Sequence, residues 1–175
     1  DELNGRYDRF RLLQGIEVNI RGDGSLDYED EVLAQFDVVT ASIHSGLRQS
    51  KEQITSRLIA AIRSPHVDVI GHPSGRIIGR RDPSDFDREA VFRAAAETGT
   101  ALEINAQPDR LDLRDTDVRR AVEMGVTVAI DSDAHATAQL GLIDYGVATA
   151  RRGWVTKDRV LNAMPLDKLL QRLGK

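Results

Sequence analysis

Four times in this chain a short apolar run ends on a residue that can ionise or ligate a metal, at intervals of about 30 residues or twice that. Gly15-Ile16-Glu17 closes the first run, Val38 to His44 the second and Val67 to His72 the third. The last, Val126 to Ile130, passes into Asp131-Ser132-Asp133-Ala134-His135. Between the third and the last, Ala101 to Ile104 carries Glu103 at the same pitch. That pitch is one strand plus one returning helix, so each rung reads as a β-α unit. Parallel α/β folds gather their functional groups at the carboxyl ends of the strands. The pattern therefore predicts most of a barrel, with carboxylates and imidazoles at one mouth.

Composition narrows the class further. A chain of 175 residues, 41% hydrophobic and 30% charged, can bury a core as one domain and is not a disordered tail. No run approaches the ~20 apolar residues of a membrane span, and no signal peptide is visible. Without cysteine there can be no disulfide or thiolate metal site, and a cytoplasmic location is expected. A net charge of -4 argues against a broad nucleic-acid surface but leaves room for a local phosphate pocket. The chain opens without methionine, in what reads as a helix leading into a strand, so a fragment is expected.

Along the chain, residues 11–18 read as a buried strand and Arg21 to Ser25 as a turn. Asp27 is placed to cap a short helix running to about Phe36. A strand at 37–43 follows, and Ser50 with Gln53 forms a capping box. The helix behind it puts Ile54, Leu58, Ile59 and Ile62 on one face, and Pro65 ends it. After a strand at 67–71, the stretch from Ser74 to Asp87 is a long irregular loop of the kind that carries function. Helices at 88–98 and 116–124 stop at Gly99 and Gly125, each preceding a strand, 101–104 and 126–130. Gly146 to Thr149 reads as a sixth strand, and a helical tail packs through Leu161, Leu166, Leu169, Leu170 and Leu173.

Glu17, His44, His72, Asp133 and His135 all fall at strand ends, which makes a single metal pocket the expected outcome. A mixed imidazole–carboxylate set suits Zn²⁺, Mn²⁺ or Fe²⁺ better than the all-oxygen ions Mg²⁺ and Ca²⁺. Asp133 and His135, two apart on extended chain, point the same way and can serve adjacent ions. His66 precedes its strand at the opposite end and reads as structural. Glu103 and Asn105 sit at the next strand end and either support a metal ligand or hold metal-bound water, with Asn105 a candidate substrate contact, or stitch neighbouring strand ends together. Arg76, Arg80 and Arg81 in the long loop, with Arg151 and Arg152, are candidates for binding substrate phosphate.

The strings GIEVNI (15–20), SIHSG (42–46), GHPSGR (71–76), EINAQPDRLDL (103–113), DSDAH (131–135) and YGVATARRGW (145–154) resemble the PHP (polymerase and histidinol phosphatase) family. The likeness covers nearly the whole chain and is strongest to the carboxyl-terminal PHP domain of bacterial family X DNA polymerases. It implies a distorted (β/α)₇ TIM-like barrel with two or three Mn or Zn ions that hydrolyses phosphoesters. In the polymerase subgroup it implies 3′–5′ exonuclease action on DNA 3′ ends, in DNA repair, beside a polymerase domain of the same chain. By position, Glu17 matches the family's bridging carboxylate, and His44 and His72 the two histidines that share an ion with it. Asp133 matches a ligand of a second ion and His135 a ligand of a third. The family's opening His-x-His strand and two further ligands have no counterpart here, so residues 1–175 read as the carboxyl-terminal portion of one PHP domain, incomplete alone. Asn19 stands where the family often has Asp, and Gln107 where it often has His or Asn.

The resulting expectation is a metal-dependent phosphodiesterase that needs no protein nucleophile. Two rivals stand beside it: a small-molecule phosphatase of the histidinol-phosphate type, and a non-catalytic PHP module that stabilises a polymerase.

Overall fold

A computed structural model describes residues 2–7 and 10–174. Five parallel strands run in sequential order: β1 (Gly15–Asn19), β2 (Val38–Ser42), β3 (Val69–Ile70), β4 (Ala101–Asn105) and β5 (Val128–Asp131). Between them lie α1 (Asp30–Leu33), α2 (Lys51–Ile62), α3 (Arg88–Thr98) and α4 (Asp115–Glu123). After β5 come α5 (Ile143–Arg152) and α6 (Leu166–Arg172). The expected α/β ladder is present as an arc of sheet. Among the described residues β1 and β5 do not pair with each other.

Register sorts the strand residues onto two faces, because partners across a ladder share a face and neighbours along a strand do not. Val18, Val39, Ala41, Ile70, Leu102, Ile104, Val128 and Ile130 form the face beneath the helices and belong to the main core. Glu17 is in register with Thr40, Thr40 with Val69, and Val69 with Ala101, on the opposite face. This second face changes character along its length. At the amino ends Val69, Ala101 and Ala129 pack with Leu161, Met164 and Leu169. At the carboxyl ends it carries Glu17, Glu103, Asn105 and Asp131.

The helices follow from local chemistry. Ser50 and Gln53 form the expected capping box of α2, which buries Ile54, Leu58 and Ile62. Asp87 caps α3 by accepting the Ala90 N–H at 3.0 Å, and the helix stops at Gly99 with φ +83°. Arg57 of α2 is buried and donates to the carbonyls of Ile20, Arg21 and Ser45. It thereby clasps the chain leaving β1 to the chain leaving β2.

Four expectations need correction. Residues 11–14 are not strand, and within β1 only Val18 is buried, since among the described residues β1 is an edge strand with a single neighbour. Asp27 caps no helix; it accepts from the backbone and side chain of Asn19, and α1 starts at Asp30 and ends at Leu33. Gly146 to Thr149 belongs to α5 rather than to a sixth strand. A Cβ on Gly146 would lie 2.7 Å from Ile130 Cγ2 and 3.0 Å from the Ala106 Cβ, so its glycine serves close helix–sheet packing. In the tail, Leu161 is buried but Leu166 is exposed. At the start, Asn4–Arg6 forms one 3-10 turn, and Asp1, Asp8 and Arg9 lie outside the described residues.

Candidate metal centre

Glu17 on β1, His44 just past β2 and His72 just past β3 come together at the carboxyl end of the sheet. Each offers one ligand atom, and the three atoms lie within 4.8 Å of one another. His44 Nε2 is 3.4 Å and His72 Nε2 3.2 Å from the same oxygen, Glu17 Oε1. Donors each about 2.1 Å from a shared ion stand roughly 3.0–3.4 Å apart, so the spacing suits a divalent cation. His72 is 5% exposed, whereas Glu17 and His44 are 42% and 44% exposed, which leaves the trio open on one side.

The surroundings of His44 set its tautomer. Asp27 accepts from the backbone N–H of Asn19 at 2.8 Å and from its Nδ2 at 2.5 Å. That fixes the amide so that Asn19 Oδ1 faces His44 Nδ1 at 2.7 Å. Nδ1 must then carry the proton, and Nε2 turns a bare lone pair toward the Glu17 carboxylate. Two electron-rich atoms facing each other at 3.4 Å are held apart by repulsion unless a cation joins them. Burial pushes the His44 imidazole below its ordinary value, which favours the neutral, ligating form. Hydrogen bonding from His72 outweighs burial and lowers the Glu17 carboxyl to about 2, keeping it ionised. The donor set therefore fits a divalent metal.

Local backbone explains how His72 reaches this point. A Cβ on Gly71 would collide with Ser42 Oγ and lie 2.9 Å from Thr40 Cγ2, so only glycine lets β3 approach β2 so closely there. His72 itself has φ +25°, and Asp133 and Leu111 have φ +47° and +45°. Such conformations cost about 1–3 kcal/mol each and persist where the surroundings over-determine them. Glu103 Oε2 accepts the His72 N–H, and the His72 carbonyl accepts from Gly75 at 2.8 Å. The Asp133 carbonyl accepts from Gln107 Nε2 at 2.9 Å, and its N–H donates to Asp131 Oδ1 at 3.2 Å.

No protein-family model matches the chain. It is 47% identical over 166 residues to the DNA polymerase/3'-5' exonuclease PolX of Bacillus subtilis (strain 168), covering 95% of this chain and 29% of that protein. It is 34% identical over 170 residues to a protein named as a probable phosphatase in Thermoanaerobacter sp. (strain X514), covering 91% of this chain and 67% of that protein. The chain belongs to the PHP family. A probable phosphatase of Shewanella oneidensis is 32% identical over 171 residues, covering 66% of that relative.

Beyond the trio, this PHP chain treats the expected site residues differently. Asp133 Oδ2 accepts from Asn105 Nδ2 at 3.0 Å, and Asn105 also donates to Glu103 Oε2 at 3.3 Å. Asn105 links Glu103, which holds His72, to Asp133. It is wholly buried and donates to the Asp133 carboxylate. His135 is 79% exposed, with Nδ1 bonded to the Asp133 carbonyl at 2.8 Å; neither it nor Asp133 joins the trio's ligand cluster. His66 lies 4.0 Å from Asp30 Oδ2, away from the site.

The arginines also divide. Arg76 donates through Nε to the Arg110 carbonyl at 2.7 Å and through Nη2 to the Leu111 carbonyl. Arg81 Nε donates to the Gly75 carbonyl at 2.6 Å. Arg152 pairs with Asp115 at 2.6 Å, while Arg80 and Arg151 are exposed.

Three buried or part-buried groups escaped the sequence reading: Asp131, Asp112 and Arg110. Asp131 hydrogen-bonds Glu103. Burial pushes both carboxyls up, Glu103 the more, with the Asp131 charge adding to it, so Glu103 takes a proton more readily than an ordinary carboxylate. Asp112 accepts the Ser74 N–H on both oxygens, at 3.3 and 3.1 Å, and burial raises it too. Asp131 was legible as the first acid of DSDAH. Arg110 and Asp112 carried no signal beyond lying in the family-like string QPDRLDL.

Proposed function

We propose that these residues form the carboxyl-terminal portion of a PHP domain in a longer cytoplasmic chain, a metal-dependent phosphoesterase that trims DNA 3′ ends beside a polymerase domain. The observation that carries this reading is the convergence of Glu17, His44 and His72 within 4.8 Å. The likeness to a protein named as both polymerase and 3'-5' exonuclease supports the substrate class and the partner domain. Mn²⁺ or Zn²⁺ suits the donor set, with Asp133 and His135 serving further ions.

When bound, such ions lower the pKa of an attacking water and offset the charge of the phosphate and the leaving oxygen. The chain's own residues prepare for that. Asn19 and Asp27 keep His44 Nε2 free of a proton, and Glu17 stays ionised through neutral pH. Glu103 and Asn105 tie His72 and Asp133 to one hydrogen-bonded frame, so the two halves of the mouth keep a fixed separation.

The test uses the full-length protein with Mn²⁺ and a labelled single-stranded oligonucleotide, alongside histidinol phosphate. Stepwise loss of nucleotides from the 3′ end, abolished by His72→Ala, is the expected result. Hydrolysis of histidinol phosphate with the oligonucleotide intact would transfer the reading to a small-molecule phosphatase, which the probable phosphatases among the relatives favour. Neither metal binding nor hydrolysis would leave a non-catalytic module. No helix among the described residues is long and apolar enough to cross a membrane.

A further inference from the structure

Arg110 is a charge at the mouth of the site that the metal trio does not use. Its side chain is 21% exposed, and its Nη1 is buried with no hydrogen-bond partner among the described residues. Its Nε lies 3.9 Å from Asp133 Oδ2, an ion pair too long for a hydrogen bond. A guanidinium has five N–H donors in a planar fork, and leaving them unpaired out of water is unfavourable. This one is nevertheless held firmly. Arg76 grips the carbonyls of Arg110 and Leu111, the Arg110 N–H donates to the Gln107 carbonyl at 2.8 Å, and Ile78 donates to the Asp109 carbonyl at 2.6 Å. A second loop thus helps to fix an arginine whose side chain has one long ion pair and a buried Nη1 left unpaired among the described residues. Its charge reaches His44 as well as Asp133, which places it between the two halves of the mouth.

We infer that Arg110 binds a non-bridging oxygen of the substrate's phosphate, and that Arg76 is a positioning residue that aims it. The inference rests on the phosphoesterase reading above. It reassigns the expected phosphate role of Arg76, whose Nε and Nη2 already serve backbone carbonyls. A forked guanidinium matches the tetrahedral oxyanion, and Asp133 supplies its counter-charge until substrate arrives. A charge-assisted contact that strengthens as negative charge builds on the phosphate affects turnover as well as binding.

The experiment compares wild type, Arg110→Ala, Arg110→Gln and Arg110→Lys in the full-length protein. It measures Mn²⁺ affinity, inorganic phosphate affinity of the Mn²⁺-loaded protein by calorimetry, and hydrolysis of bis(p-nitrophenyl) phosphate. Arg110→Ala and Arg110→Gln should weaken phosphate binding by about 10- to 100-fold and lower kcat, with Mn²⁺ affinity within about twofold of wild type. Arg110→Lys should recover part of both. Unchanged phosphate affinity would overturn the inference, and so would a parallel fall in Mn²⁺ affinity, since Arg110 would then only neutralise Asp133. Should wild type hydrolyse no phosphodiester, the phosphoesterase reading fails, and the phosphate affinities still decide the role of Arg110.

Discussion

The two halves of the mouth hold similar residues in opposite states. On the β1–β3 side, Glu17, His44 and His72 turn their ligand atoms toward one point, and the neighbouring groups Asn19 and Asp27 keep His44 Nε2 bare. On the β4–β5 side, Glu103, Asn105, Asp131 and Asp133 bond to one another, and burial raises the hydrogen-bonded Glu103 and Asp131 carboxyls together. Ligand-type residues alone do not make a preformed ion cluster. What decides is whether the surrounding hydrogen bonds end on the outer atoms of the ligands or on the ligand atoms themselves.

The sharpest way to break this comparison is to remove a member of the open half. His72→Ala should weaken Mn²⁺ or Zn²⁺ binding by more than about 100-fold in calorimetry, whereas Asp133→Ala should leave the first ion bound. Equal losses would show that the halves act as one ligand set. Next in size, Asn19→Leu frees the Nδ1 proton of His44 and should cost about 10- to 100-fold in metal affinity, with little change in Tm.

In the closed half the readout is stability instead. Glu103→Ala leaves the His72 N–H buried without an acceptor and should destabilise the fold by about 1–3 kcal/mol in urea unfolding. Glu103→Gln reproduces a protonated carboxyl, with one acceptor and one donor, and should change stability by less than about 1 kcal/mol near neutral pH. A large loss in the glutamine variant would mean that Glu103 is ionised in the folded protein.

The smallest effect expected is in pH dependence. His44 is lowered from 6.5, so its neutral form persists below that value. Metal affinity should stay level as pH falls from 8 to about 6.5 and decline only below it. For Glu17 the folded value, about 2, lies below the ordinary 4.5. Its contribution to stability is therefore complete above pH 4.5 and is lost as pH falls from there toward 2. Acid unfolding of Glu17→Gln should accordingly be less steep across that window.

Much of this was written in local pattern. The pitch of apolar runs identified five strands and their carboxyl-end residues, and Ser50 with Gln53 and Asp87 with Gly99 marked helix ends through side-chain and backbone chemistry confined to one turn. Pattern failed where a distant partner decides. Gly146-Val147-Ala148-Thr149 has strand-like composition, but the helix it joins must pass close to Ile130. Asp27 looks like a cap, yet Asn19 competes for it more effectively. Within the site, the trio's positions were legible from spacing. The bonding of Asn105, the raised Glu103 carboxyl and the long Arg110–Asp133 pair depend on contacts between segments about 20 to 30 residues apart, which no local window contains.

The alternation of the sheet's two faces has a consequence for how this domain can change over generations. Lengthening or shortening any of the five strands by a single residue would exchange its two faces beyond that point, sending Glu17 or Glu103 into the apolar core and a valine or isoleucine into the mouth. Substitutions can be absorbed one at a time, but such indels cannot. Room for variation in length lies instead in the segment from Gly79 to Pro83, which is largely exposed and crosses no ladder of the main sheet. New substrate preferences in this lineage should therefore arise by remodelling that rim while the strand lengths stay frozen.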